Sequence, residues 1–113
     1  MHHAHQMSSE MQSCIEECLR CHSVCIGMAS HHCLEAGGKH VEPMHFRLML
    51  ACAEACQSAA NLMLIGIDHH KAMCRVCADV CEACAQSCEQ LGDMQMCVDV
   101  CRRCADSCRH MTS

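Results

Sequence analysis

The sequence predicts an all-α protein, an antiparallel four-helix bundle with a cysteine-lined core. Of the 113 residues 16 are cysteine, and eleven of the fifteen gaps between successive cysteines are three or four residues long. That spacing places side chains on one face of an α-helix. Glycine and proline divide the chain into four segments of helical length. No segment alternates between polar and apolar residues over the length of a strand, so we expect no sheet.

Length and composition indicate one domain spanning residues 1–113, with residues 1–8 as a disordered tail. The net charge is −5 and no basic run stands out, so nucleic acid is not an expected partner. Phe46 is the only aromatic residue, which leaves cysteine, methionine, alanine, leucine and valine to fill the interior.

The first helix is expected from about Glu10 to about Glu35, with Ser9 and Gln12 as a capping box. Two glycines at 37 and 38 end it. Its predicted core-facing stripe is Cys14, Cys18, Cys21, Cys25, Met28 and His32, with Cys33 slightly off that line.

The second helix is expected to begin at Pro43 and to end near Gly66. Its predicted stripe is His45, Met49, Cys52, Cys56, Ala59 or Ala60, and Met63. A second apolar set comprises Leu48, Ala51, Ala55, Leu62 and Ile65. We interpret this second set as a subunit interface; the alternative is deeper burial within one chain.

The third helix is expected from an Asp68 cap to Leu91, before Gly92, and the fourth from an Asp93 cap to about His110. The segments CRVCADVCEAC and CVDVCRRCADSC look like two copies of one unit, and the spacing repeats in sevens, as in helical bundles. Their predicted stripes are Cys74, Cys77, Cys81, Cys84 and Cys88 in the third helix, and Met94, Cys97, Cys101, Cys104, Cys108 and Met111 in the fourth.

A core of thiols predicts a store for a soft metal ion, because thiolate selects Cu(I), Zn(II) or iron–sulfur clusters. Each thiol that takes Cu⁺ gives up one proton, so about one Cu(I) per cysteine adds no buried charge. Four thiolates around Zn²⁺ leave each site at −2, and zinc knuckles usually lie on loops. The predicted ligands are Cys14, Cys18, Cys21, Cys25, Cys33, Cys52, Cys56, Cys74, Cys77, Cys81, Cys84, Cys88, Cys97, Cys101, Cys104 and Cys108.

Histidine and methionine gather where the first and third helices end and the second and fourth begin. Thioether and imidazole are weaker, exchangeable Cu(I) ligands, so His45, His32 and Met49 are predicted as a port for the ion. The same end also collects Met28, His31, Cys33, His40, Met44, Met94 and Met96. The opposite end, a rival port, holds Met11, Met63, His69, His70, Met73, His110 and Met111, and the tail histidines His2, His3 and His5 could fold near it.

The run CADVCEACAQSC followed by CVDVCRRCADSCRHM resembles the bacterial copper storage proteins, and the resemblance extends from about Cys14 to Met111. It implies a four-helix bundle that loads many Cu(I) ions, forms tetramers and admits ions at the end with His32, His45 and Met49. The second helix departs from the family pattern in having only Cys52 and Cys56, the link between the first two helices is longer and Gly-rich, and Met94 and Met96 stand where the family has a histidine cluster.

Localisation and partners are further expectations. The N-terminal residues contain no apolar stretch of the kind a secretory signal has, and no apolar run approaches the ~20 residues of a membrane span. The chain is therefore similar to the cytosolic branch of the family, with no membrane partner, and would exchange copper with a donor or acceptor protein or a small thiol. An enzyme is not expected, because no Ser/His/Asp pattern or phosphate-binding loop is present. The alternatives are a redox protein that forms interhelical disulfides, and a zinc or heavy-metal buffer of the metallothionein type.

Overall fold

The computed structural model describes residues 7–112, and within that range it is an antiparallel four-helix bundle without a strand. Each helix packs against its neighbours in the chain, and the fourth closes the ring against the first. The molecule measures 50 × 24 × 19 Å. The elements are α1 (Ser9–Gly27), continued by a π-helical turn (Met28–Cys33) and a last α-helical turn (Leu34–Ala36); a 3-10 turn (Gly38–Val41); α2 (Pro43–Ile65); α3 (His70–Leu91); and α4 (Gln95–His110).

The helix stops follow the predicted glycines. Gly66 and Gly92 have φ of 88° and 97°, the left-handed conformation that closes α2 and α3. Gly37, with φ of 67°, ends the α1 segment. Pro43 occupies the first turn of α2, where the carboxylate of Glu42 accepts a hydrogen bond from the His45 backbone N–H. The predicted helix ends are therefore confirmed. They could be predicted because glycine and proline act on the backbone within a few residues.

Three predicted N-caps are wrong. Ser8 caps α1 by accepting from the Met11 N–H, so Ser9 is already helical and forms no capping box. Adjacent serines are equivalent by residue type, and only the hydrogen bond distinguishes them. His69 precedes α3, and Asp68 forms an ion pair with Lys71 instead of capping the helix. Met94 is the residue before α4. Asp93 does not cap that helix, because its carboxylate is hydrogen-bonded to His32 and His40.

The sequence predicts a disordered tail up to residue 8, whereas residues 7 and 8 take part in the fold. Ser8 caps α1, and Met7 is half-buried against the core. The histidines at positions 2, 3 and 5 lie outside the described residues, and so does residue 113.

The π-helical turn corrects the predicted stripe of the first helix. It is wider than an α-helical turn, and it brings Ala29 and Cys33 into the core after Cys25. Met28 and His32, which a continuous α-helix would place on that line, are only half-buried. The predicted order, with His32 on the stripe and Cys33 off it, is therefore reversed.

The second apolar face of α2 is divided between the core and the surface. Ala55 is buried, Leu48 and Leu62 are half-buried, and Ala51 and Ile65 are exposed. Within the described residues α2 is also the one helix long and apolar enough to cross a membrane, contrary to the expectation that no run has that length. Core helices of soluble proteins share this length and composition, and the absence of a membrane partner stays a prediction.

Candidate metal centre

All sixteen cysteines are buried free thiols without measurable solvent exposure. The helical period of their spacing turns each one toward the bundle axis, where a bundle usually places leucine or isoleucine. Alanines and valines fill the space around them, including Ala53, Ala59, Ala85 and Val98. The sulfur atoms therefore form a column along the bundle axis.

Eleven of these sulfurs are linked into one network by Sγ–Sγ contacts of 3.5–3.9 Å. Most contacts join different helices; for example, Cys25 lies 3.5 Å from Cys101 and Cys52 lies 3.5 Å from Cys81. The members are Cys14, Cys18, Cys21, Cys25, Cys52, Cys56, Cys77, Cys81, Cys101, Cys104 and Cys108. Cys74 joins them through a group with Cys14 and Cys108.

Individual sulfurs belong to more than one potential binding group. In each group the sulfurs lie within 4.8 Å of one another, and Cys21 and Cys104 are each shared between two groups of four. The groups of four are Cys18, Cys77, Cys104 and Cys108; Cys21, Cys25, Cys52 and Cys101; and Cys21, Cys56, Cys81 and Cys104. A sulfur that belongs to two groups can bridge two ions, so these groups fit a metal–thiolate cluster better than isolated four-cysteine sites, in which each sulfur binds one ion.

The separations suit metal coordination. With a metal–sulfur bond of about 2.3 Å, two sulfurs lie roughly 3.8–4.0 Å apart in tetrahedral or trigonal coordination. The observed contacts of 3.5–3.9 Å lie within about 0.3 Å of these separations, and they are far longer than the ~2.05 Å bond of a disulfide. The thiols can therefore take up a soft ion with small side-chain movements.

Met49 extends the sulfur column toward the predicted port. Its Sδ lies 3.6 Å from Cys84 Sγ and 3.4 Å from Cys88 Sγ, and the side chain is fully buried. A thioether cannot lose a proton and binds more weakly than a thiolate, so an ion held here can pass inward. Cys97 is buried on α4 at the same end of the bundle.

His45 lies between the thiol core and the surface. Its Nε2 is 3.8 Å from Cys33 Sγ, and its Nδ1 is 2.8 Å from Ser87 Oγ. When Nδ1–H donates to the serine, Nε2 keeps its lone pair facing the thiol. Burial lowers the pKa of His45 and raises the pKa of Cys33 to about 11, so at neutral pH both are uncharged. An ion placed between them displaces the thiol proton.

A surface pocket of about 290 Å³ reaches His45. It is lined by Lys39, Glu42, His45, Ser87, Gln90 and Leu91. The pocket contacts the 3-10 turn, the start of α2 and the last turns of α3. His45 is thus buried and also forms part of a pocket wall, the position expected of a first ligand inside a port.

His32 is placed apart from the thiols. Its Nε2 lies 3.2 Å from Asp93 Oδ2, and His40 Nε2 lies 2.8 Å from Asp93 Oδ1. The hydrogen bond from His40 holds the pKa of the Asp93 carboxyl below its usual range. Within residues 7–112 the polar contacts of His32 are to Asp93 and the His40 ring, so its predicted role as a Cu(I) ligand stays a prediction.

The opposite end is covered by methionine. Met63 is fully buried, and Met7, Met11, Met73 and Met111 pack against the core. His70 is buried there with its Nδ1 2.8 Å from the carbonyl oxygen of Ile67. The described residues thus close this end with flexible apolar side chains. The tail histidines that were expected near it lie outside the described residues.

Sequence reasoning missed two residues of the port end. The sequence gives no signal for Ser87, because its spacing from the cysteines of α3 does not differ from that of an ordinary half-buried serine. Asp93 was interpreted as a helix cap. Its position directly after the Gly92 stop, among the histidines of that end, was the available signal for a different role.

Three solved structures are similar to this fold. A protein from Nitrosospira multiformis has a structure that matches with a TM-score of 0.90 and 53% identity, over 91% of this chain and 94% of that chain. A Cu(I)-bound copper storage protein, BsCsp3, matches with a TM-score of 0.84 and 33% identity, over 93% of this chain and 100% of that chain. The apo form of Csp3 from Bacillus subtilis matches with a TM-score of 0.81 and 31% identity, over 90% and 98% of the two chains.

Sequence comparison agrees. An uncharacterized cysteine-rich protein of Bacillus subtilis, YhjQ, is 34% identical over 82 residues, which are 73% of this chain and 75% of that protein. A model of the family described as copper storage protein matches residues 7–113. The match includes all four helices and every cysteine of the core. With this fold, the sixteen buried thiols and these relatives, the chain belongs to the copper storage protein family.

Proposed function

We propose that this protein stores or sequesters many Cu(I) ions on the thiolates of its core, about one per cysteine. The observation that carries the proposal is the continuous network of buried sulfurs, in which single thiols serve more than one potential site. Exchanging one proton for one Cu⁺ at each thiol keeps the interior neutral at every stage of filling. The BsCsp3 relative is a Cu(I)-bound protein with the same fold.

In this proposal ions arrive at the end that holds His45 and Met49. The pocket beside Ser87 gives access to the His45 ring, and Cys33 is the first thiol behind it. Met49 then connects this region to Cys84 and Cys88. The weak ligands hold ions briefly, and the thiolates hold them tightly, so filling proceeds along the column.

The wider setting is also proposed. The protein acts in the cytoplasm, where thiols stay reduced, is not an enzyme, and exchanges copper with a donor or acceptor protein or a small thiol. It assembles as a tetramer, for which the exposed Leu19 and Ile26 on α1 and Leu50 and Leu64 on α2 provide apolar contact surface. Light scattering should report about four times the 12.5 kDa of one chain, and a monomeric mass would contradict the assembly.

The experiment for storage is an anaerobic titration of the reduced protein with Cu(I) in competition with a chelator of known affinity. We expect tight uptake of about 16 ions with little change in helical circular dichroism, because the bundle is already formed. Saturation at one or two ions would overturn storage.

The same preparation distinguishes the two alternatives. A zinc buffer would prefer Zn²⁺ and saturate near one ion per four cysteines. A redox protein would oxidise rapidly and reversibly with a potential like that of thioredoxin, about −270 mV. The storage proposal expects neither result, because one Cu⁺ per thiol leaves the buried core neutral, whereas four thiolates around Zn²⁺ leave a buried charge of −2.

A further inference from the structure

A second cluster of metal-ligating side chains lies outside the thiol core. His32, His40 and Asp93 each offer one atom, and the three atoms lie within 4.8 Å of one another. Among residues 7–112 it is the one such group that contains no cysteine. It combines three separate segments: the π-helical turn, the 3-10 turn and the loop between α3 and α4.

The geometry directs all three side chains to one point. Both Nε2 atoms face the carboxylate, at 3.2 Å for His32 and 2.8 Å for His40, and each bonds a different oxygen. The two rings are nearly perpendicular, with centroids 5.1 Å apart. Metal–ligand bonds of about 2.0–2.2 Å at imidazole and carboxylate place ligand atoms roughly 3.0–3.4 Å apart, so the observed N–O separations of 2.8 and 3.2 Å need only small adjustments.

Exposure leaves room for further ligands. The side chains of His32, His40 and Asp93 are 36%, 17% and 55% exposed. A bound ion would therefore keep open positions for water, and could exchange with solvent.

The donor set differs in kind from that of the core. Two imidazoles and a carboxylate are borderline and hard ligands, which suit divalent first-row ions, whereas Cu(I) prefers the soft sulfurs. We propose that His32, His40 and Asp93 form an exchangeable site for a borderline divalent cation, Zn²⁺ or Cu²⁺, separate from the thiolate store. The site does not depend on Cu(I) storage, since none of its ligands is a thiol.

The test uses Co²⁺ as the probe, because its absorption distinguishes sulfur ligands from nitrogen and oxygen ligands. The full chain carries His2→Ala, His3→Ala and His5→Ala in every sample, which removes three other imidazoles. Titration of the reduced protein without oxygen should show one Co²⁺ per chain, with weak d–d bands and no sulfur-to-metal charge-transfer band. Co²⁺ should also broaden the ring proton signals of His32 and His40 in NMR spectra.

Two substitutions and a matched control locate the ion. His40→Ala and Asp93→Asn should each weaken Co²⁺ binding at least about tenfold, since even outer partners of a metal ligand change affinity by that factor. His31→Ala is the control, because His31 is exposed on the same π-helical turn and its Nδ1 bonds the Gly27 carbonyl oxygen. It should leave Co²⁺ affinity unchanged.

Several results would overturn the site. They are a charge-transfer band at the first equivalent, equal affinity in His40→Ala, or no binding in a protein whose circular dichroism shows the native helices. The Cu(I) capacity of Asp93→Asn is a further readout. It should equal that of the parent protein, and a lower capacity would show that the cluster belongs to the thiolate store.

Discussion

His45 and Ser87 are joined by a hydrogen bond of 2.8 Å between Nδ1 and Oγ, across the interface of α2 and α3. The bond holds the other ring nitrogen toward Cys33, 3.8 Å away. Partners of this kind orient the ring and select its tautomer in metal sites. The serine therefore orients the ring that lies between the surface pocket and Cys33, and it is not itself a ligand.

Replacing Ser87 with alanine should slow copper uptake without changing capacity. The ring of His45 loses the partner that orients it, and effects of this kind are about tenfold or more. The measurement is the initial rate of Cu(I) transfer from a chelator complex. Ser58→Ala is the control, because that half-buried serine bonds Glu54 on the same helix instead of a histidine. Equal rates in both variants would refute a role for Ser87.

Replacing Cys77 and Cys81 with serine should lower Cu(I) capacity by about two and leave the helices intact. Their sulfurs lie 3.8 Å apart and contact Cys56, so both belong to the central network. Two buried hydroxyls should cost about 1–3 kcal/mol each in stability. Ala85→Ser, also on α3 and fully buried, introduces a hydroxyl without removing a thiol. It should keep full capacity, and a loss there would mean that capacity reports packing instead of ligand number.

The stability of the reduced, metal-free protein should fall as the pH drops below about 6.5, and His45 should contribute to that fall. Burial lowers the pKa of His45 in the folded chain, so the unfolded chain takes up the proton first. The contribution is present above the unfolded pKa and decreases as the pH falls from there toward the folded pKa. Urea denaturation across this range should show a weaker pH dependence in His45→Gln; parallel curves would contradict the assignment.

Two glycines with open surroundings should respond to alanine with opposite signs. Gly92 has φ of 97°, so alanine there should destabilise by about 1 kcal/mol. Gly27 has φ of −65° inside a continuous helix, so alanine there should stabilise by about 0.5–1 kcal/mol. Neither new methyl group meets an atom within 4 Å, so denaturation midpoints report backbone conformation alone. Equal shifts in both variants would be inconsistent with these backbone angles.

Deleting Ser30 should preserve the copper store. The residue is exposed within the π-helical turn, and its removal lets that turn adopt α-helical pitch while Cys33 keeps its place. Deleting the exposed Ser23 from the regular part of α1 is the matched control. The Ser23 deletion rotates the following residues by about 100° around the helix axis and should displace Cys25 and Cys33 from the core. Cu(I) titration of both variants measures the difference, and similar losses would show that the π-helical turn has another role.

The sequence by itself determined the four helices, their stops and the placement of cysteines on the bundle axis. These features follow from the helical period and from glycine and proline, which act within a few residues. It also placed Met49 and His45 at the bundle end where α2 and α4 begin, because connection lengths determine which helix ends meet in an antiparallel bundle.

Only the tertiary structure decided the details of that end. The π-helical turn, which moves Cys33 inward and His32 outward, meets α2 through the Cys33–His45 contact. The pairs His45–Ser87, His32–Asp93 and His40–Asp93 join residues 42, 61 and 53 positions apart. Residue spacing describes one helix at a time, whereas these bonds depend on how five segments approach one another: the π-helical turn, the 3-10 turn, α2, α3 and the loop before α4. For that reason the thiol column could be predicted from sequence, and the polar contacts at its opening could not.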